Sequence, residues 1–97
     1  MQTFVNEITV NGLNYNPAYY TSNDTIDTAE FYVVAKNGVT SLTMPGNGSV
    51  LIKNISGNSI NLVSTATFDG NASPLVVVDD ASYLLIYNSA DNDWSIN

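Results

Sequence analysis

The side chains able to take part in acid–base chemistry are nine carboxylates and two lysines, in a chain of 97 residues with no histidine, cysteine or arginine. Five of the acids, Asp69, Asp79, Asp80, Asp91 and Asp93, fall in the last third of the chain. Two carboxylates about 5 to 10 Å apart across a cleft can hydrolyse a glycosidic bond. All five, however, sit in turn-like segments, where a short acid is favoured because it accepts hydrogen bonds from nearby backbone N–H groups. The turn reading is preferred. Without histidine the Ser-His and Cys-His arrangements are excluded. Lys36 or Lys53 would serve a Ser-Lys pair only if desolvated, whereas the pattern puts Lys36 in a turn and Lys53 on an outward strand position, where the amine keeps a high pKa. No catalytic residue is assigned, and the chain is read as non-enzymatic.

Asp91-Asn92-Asp93, joined by Asp79, would offer the hard oxygen ligands that Ca²⁺ collects on loops. The spacing does not match the twelve-residue EF-hand pattern, and neither metal nor cofactor is assigned. Six Tyr and one Trp on an Asn-rich chain would also suit a sugar platform. The preferred reading is that Tyr15, Tyr19 and Tyr20 cover an edge while Tyr83 and Tyr87 pack. Four Asn-x-Ser/Thr triplets, at Asn23, Asn47, Asn54 and Asn71, are products of a composition rich in these residues.

The net charge is −7 and charged residues are 11% of the chain, well under the roughly 25% of an ordinary soluble domain. Nucleic-acid affinity comes largely from Lys and Arg on phosphates, so no nucleic-acid partner is expected. No apolar run approaches the roughly 20 residues that span a bilayer, and "MQTFVNEITV" is not a secretory signal. These features predict a soluble chain made in the cytoplasm, with no membrane partner. A single domain, residues 1–97, is expected. A domain this small buries only roughly 60–65% of the surface its unfolded chain exposes, and a partner surface would add stability.

Positioning any site falls to strands. Gly, Pro, Asn and Asp punctuate the chain every eight to twelve residues or so, the spacing of an all-β sandwich or barrel. "TFVNEITV", Asn11-Gly12 and "LNYNPAYY" read as a hairpin with a type I′ turn, with Phe4, Asn6, Ile8 and Val10 on one face. Pro17 marks an edge or bulge, and "YTSNDTIDT" a loop. "AEFYVVA", Lys36-Asn37-Gly38 and "VTSLTM" read as a second hairpin, its first strand apolar on both faces. Pro45-Gly46 then reads as the corner of a type II turn. "SVLIKNI", Ser56-Gly57-Asn58 and "SINLVSTATF" read as a third hairpin, with Ile52 and Ile60 in the core and Lys53 outside. "SPLVVVDD", "SYLLIYN" and "WSIN" follow, with Trp94 capping the open end of the core and its N–H bonded at the rim. The expected architecture is all-β, a compact antiparallel sandwich or barrel built from hairpins.

Residues 42–97 resemble a recurrent β-rich module of tailed-bacteriophage virion proteins, found in small capsid decoration proteins and in head or tail fibres. The resemblance rests on Leu42 to Pro45, "IKN" at Ile52 to Asn54, "FDG" at Phe68 to Gly70, and the closing Tyr strand, polar loop and Trp94-Ser95-Ile96. It implies a structural protein, commonly a homotrimer, that binds an assembled shell or fibre.

The resulting expectation is a capsid decoration (cement) protein located in the virion. It would bind the major capsid protein or another virion protein across capsomer junctions. This reading is preferred over a fibre module because the chain starts at Met, is of domain size, and shows no coiled-coil or repeat segment. The alternative is a small fibre or receptor-binding module that contacts host surface glycans. The partner interface is not assigned to particular residues.

Overall fold

Val33 and Val34 are adjacent and both fully buried. Successive side chains on a strand point to opposite faces, so the strand that holds them is covered twice, as its apolar run predicts. The computed structural model describes residues 7–10 and 12–97. Among these residues the fold is all-β. The strands are β1 (Ile8–Val10), β2 (Leu13–Tyr15), β3 (Ala18–Tyr20), β4 (Asp24–Thr25), β5 (Tyr32–Ala35), β6 (Ser41–Thr43), β7 (Ser49–Asn54), β8 (Ile60–Val63), β9 (Thr67–Phe68), β10 (Leu75–Val77), β11 (Ser82–Asn88) and β12 (Asp93–Ile96).

From β3 to β8 the chain alternates between two sheets. β3, β5 and β7 stack in parallel in a six-stranded sheet, and β4, β6 and β8 stack in parallel in a four-stranded one. Three coils therefore lie one on the next, and equivalent residues form ladders: Ala18 beside Val33 beside Ile52, and Leu42 beside Leu62. The last third of the chain then closes the stack. β10 runs antiparallel to β8, β11 antiparallel to β7, and β12 antiparallel to β11, with β9 parallel to β12 at the far edge.

The two sheets enclose one core. Val50, Ile52, Phe68, Leu85 and Trp94 enter it from the larger sheet, and Leu42, Ile60, Leu62 and Val77 from the smaller. Full burial of a Leu or Ile side chain contributes about 1.5–3 kcal/mol. Ile52 and Ile60 sit in this core as the period-2 pattern predicts, and Lys53 points the other way, half-buried.

The second and third expected hairpins take a different form. Their turns exist, with Gly38 at φ 109° and Gly57 at φ 89°, but β5 does not pair with β6, nor β7 with β8. Each turn hands the chain to the opposite sheet. A turn sequence fixes a local reversal and not the partner of the strands it joins, and continuous apolar runs such as Val33-Val34 belong to strands covered on both faces. The segment expected as a loop at 20–28 begins with the last residue of β3 and contains β4, which adds Thr25 beside Thr43, and it places Ile26 in the core. Gly46 is not at positive φ; Gly48, at φ 94°, takes that role.

Other expectations hold. Val10 lies opposite Leu13 in a separate two-stranded ribbon, with Gly12 at φ 76°. Thr3, Phe4, Val5 and Asn6, expected to extend the first strand, and Asn11 of its turn lie outside the described residues. Pro17 precedes β3, an edge strand. Asp69 and Gly70, both at positive φ, form a two-residue turn closed by reciprocal Phe68 and Asn71 backbone bonds of 2.8 and 2.9 Å, the type I′ geometry.

Candidate functional site

Three of the five late acids, Asp69, Asp79 and Asp93, act as backbone straps. Asp69 Oδ1 accepts the Ile96 N–H at 3.0 Å, and Asp79 Oδ1 accepts the Gly57 N–H at 2.9 Å. Asp93 Oδ1 accepts both the Thr67 hydroxyl, at 2.5 Å, and the Gly70 N–H, at 2.9 Å. These two bonds hold the Asp93 carboxyl below its ordinary value of 3.8. Asp91 accepts from the Asn88 carboxamide at 3.0 Å, and Asp80 occupies a turn at φ 67°. Among the described residues no three His, Cys, Asp or Glu side chains come together in a way that could hold a metal ion.

Asn side chains do comparable work at the coil corners. Asn23 Oδ1 accepts the N–H groups of Thr40, at 2.7 Å, and Ser41, at 3.0 Å, tying the first coil to the second. Asn54, fully buried, accepts the Ser56 N–H at 3.0 Å and donates to the carbonyls of Asn58 and Val77 at 2.7 and 3.0 Å. That position excludes the Asn54 triplet as a glycan acceptor.

Concavities interrupt the surface among the described residues. One, of 430 Å³, is lined by Tyr20, Thr21, Asp24, Asp27 and Glu30 among others. The Tyr20 hydroxyl donates to Glu30 Oε1 and accepts the Asp27 N–H at 3.3 Å. Partial burial, then the bond to Glu30, pushes the phenol from 10.0 up to about 12. The sequence does not announce this acidic cleft, since "YTSNDTIDT" reads as a loop and Glu30 falls in the following strand segment "AEFYVVA".

The second, of 200 Å³, lies between residues 43–46, residues 64–66, and Tyr87, Asn92 and Trp94. No charged side chain lines it. Trp94 was expected at the rim with its N–H bonded; instead the indole is 0% exposed and Nε1 has no partner among the described residues. Such an orphan donor costs about 1–3 kcal/mol. The large ring fills the core, its apolar area outweighing that loss, and Tyr87 packs against it at 5.2 Å between centroids. The Tyr87 hydroxyl donates to Asn92 Oδ1 at 2.7 Å.

Tyr83 and Tyr87 pack on the core as expected, and Tyr20, expected to cover an edge with Tyr15 and Tyr19, packs on it as well. Tyr15 meets Phe31 at 4.6 Å, while Tyr19 remains 45% exposed beneath the Lys36 amine.

The third surface is a sheet face. On the outside of the four-stranded sheet, Thr25, Thr43 and Val63 form one row and Ser41, Asn61 and Val76 the next. None of these side chains carries a charge. Val76 is 50% exposed, and Val78, just past β10, is 55% exposed.

No family model matches the chain, and no curated protein matches it in sequence. Among solved structures, a chain in one described as "Structure of a chaperone-substrate complex" is similar over 75% of this chain, at 20% identity and a TM-score of 0.58. The matched span is 14% of that chain's length, so the same fold occurs there as part of a much longer polypeptide.

Proposed function

We propose that the chain is a non-enzymatic structural protein of a virion, a decoration protein that lies across junctions between major capsid protein subunits and reinforces them, acting as a homotrimer. The observation that carries this reading is the outer face of the four-stranded sheet. Its six side chains, Thr25, Ser41, Thr43, Asn61, Val63 and Val76, are hydroxyl, amide or aliphatic groups. A protein with net charge −7 has carboxylates to spare for solvation, and this face carries none. Hydroxyl and amide groups are solvated when free and pair with a neighbour's polar groups when covered, whereas a buried unpaired charge is costly. The resemblance of residues 42–97 to virion modules supports the same reading.

Mass in solution, followed by mixing with empty shells, tests it. The expected result is an oligomer that co-sediments with shells and raises the temperature at which they break. A monomer that leaves shells unchanged overturns it.

A further inference from the structure

We propose that Asn47-Gly48 is a site of spontaneous deamidation, where the chain reacts with water and exchanges a carboxamide for a carboxylate. This rests on the loop alone and not on any role at a shell. Asn-Gly pairs occur at Asn11, Asn37 and Asn47, of which Asn11 lies outside the described residues. In such a pair the glycine nitrogen attacks the asparagine Cγ, unhindered by a side chain on the glycine. The new N–Cγ bond closes a succinimide ring, the carboxamide C–N bond breaks, and the nitrogen's proton leaves with ammonia. One water then opens the ring at either carbonyl, giving aspartate or isoaspartate. The reaction needs no cofactor and no other side chain, so backbone freedom decides which pair reacts.

Asn37 and Asn47 are both exposed, and neither side chain makes a hydrogen bond among the described residues. The backbone separates them. Around Asn37 the Lys36 N–H donates to the Tyr20 carbonyl at 2.9 Å, the Val39 N–H to the Lys36 carbonyl at 3.2 Å, and the Thr40 N–H to Asn23 Oδ1 at 2.7 Å. Gly38 itself is wedged, since a Cβ on it would lie 2.2 Å from the Thr21 carbonyl oxygen. Ring closure requires rotation about the bonds that join Asn37 to Gly38, and this corner is held from both sides. At Asn47 that constraint is lifted. Residues 46–48 form an exposed bend, and a Cβ on Gly48 meets no atom within 4 Å. Among the described residues, the backbone from 45 to 48 is tied only through the Gly48 carbonyl, which accepts the Tyr87 N–H at 2.9 Å. The attacking nitrogen is left open. Asp69-Gly70, which closes the same ring with loss of water, is held back because the Gly70 N–H is taken by Asp93 and the Asp69 carboxylate by the Ile96 N–H. Conversion at Asn47 adds a carboxylate to a chain of net charge −7. Isoaspartate also routes the backbone through the side chain just before Gly48, whose bond to Tyr87 lies next to the last pair of the β7–β11 ladder, Ser49 with Ile86.

Cleavage after Lys36 and Lys53 releases residues 37–53, so both pairs are read within one peptide. The intact protein is held in warm, mildly alkaline buffer, either folded or unfolded in urea, and fragment mass spectra report conversion at each asparagine over time. In the folded protein Asn47 is expected to convert at least about tenfold faster than Asn37, and in urea the two rates are expected to converge. The isoaspartyl form, isolated by chromatography, is expected to exchange its Tyr87 amide hydrogen several-fold faster than the unconverted protein. The proposal is overturned by conversion at Asn37 as fast as at Asn47 in the folded protein, or by an Asn47 that converts in urea and not when folded. It is also overturned by a preference for Asn47 that persists undiminished in urea, which would assign it to the neighbouring sequence and not to the fold. Unchanged Tyr87 exchange in the isoaspartyl form overturns the effect on the ladder.

Discussion

A Cβ placed on Gly38 would lie 2.2 Å from the carbonyl oxygen of Thr21. Gly38 belongs to the turn after β5 and Thr21 to the turn after β3, so the two corners of successive coils touch through backbone. The bond from Lys36 N–H to the Tyr20 carbonyl, at 2.9 Å, runs beside this contact. Glycine at 38 thus answers two demands, a φ of 109° and a spacing that admits no side chain.

Gly38→Ala is therefore expected to destabilise the protein by about 2–4 kcal/mol, from backbone strain together with the forced separation of two corners. Gly46→Ala, with open space and an ordinary φ, is expected to stay within about 1 kcal/mol of the wild type. Urea midpoints of the two variants give the comparison, and equal midpoints would refute the corner contact.

Asn54→Ala strands the Ser56 N–H and the carbonyls of Asn58 and Val77 inside the fold. A loss of about 3 kcal/mol is expected, since each buried group left unmade costs about 1–3. Asn54→Asp retains the acceptor but faces two carbonyls with a carboxylate. Its stability should fall as pH rises from 4 to 7, opposite to the trend for an exposed acid.

The titrating groups set the pH limits in known directions. Tyr20 holds its proton up to about 12, against 10.0 ordinarily, so the folded state binds that proton more tightly than the unfolded one. Its stabilisation is complete below pH 10 and is lost as pH rises through about 12. Tyr20→Phe should flatten that limb in part, because burial shifts Tyr32 the same way. Asp93 is shifted down, so its contribution is present above its ordinary value of 3.8 and disappears as pH falls below it. Asp93→Asn should make the acid limb shallower. Thermal scans from pH 2 to 12 check both.

On the outer face of the four-stranded sheet, Val76→Lys and Asn61→Asp should leave monomer stability within about 0.5 kcal/mol, as surface changes usually do. They should abolish self-association and shell binding, because a covered, unpaired charge is strongly penalised. Sedimentation of each variant beside its melting curve separates the two effects. Association unchanged in both variants would place the contact on another surface.

The strands were legible because their cause is local. The alternation in "SVLIKN" puts Val50, Ile52 and Asn54 on one face, and the core takes all three. The buried pair Val33-Val34 likewise announced a strand covered twice. Partner choice was not legible. Lys36-Asn37-Gly38 and Ser56-Gly57-Asn58 look like hairpin turns, and nothing nearby says that the strands they join sit in different sheets; that depends on contacts such as Gly38 with Thr21, far apart in sequence. The Trp94 pocket was hidden for a similar reason. Its walls come from three separate segments, and the unpartnered indole N–H is visible only once the ring is known to be inside.

The strands at the sheet margins carry a further consequence. β3 and β10 have three residues each, and β4 and β9 two, with Pro17 and Pro74 directly preceding β3 and β10. Margins this short offer too few free backbone groups to template an added strand. A neighbour lying against these four margins would therefore be held by side chains rather than by an added strand, and could leave without disturbing the hydrogen-bonded ladders.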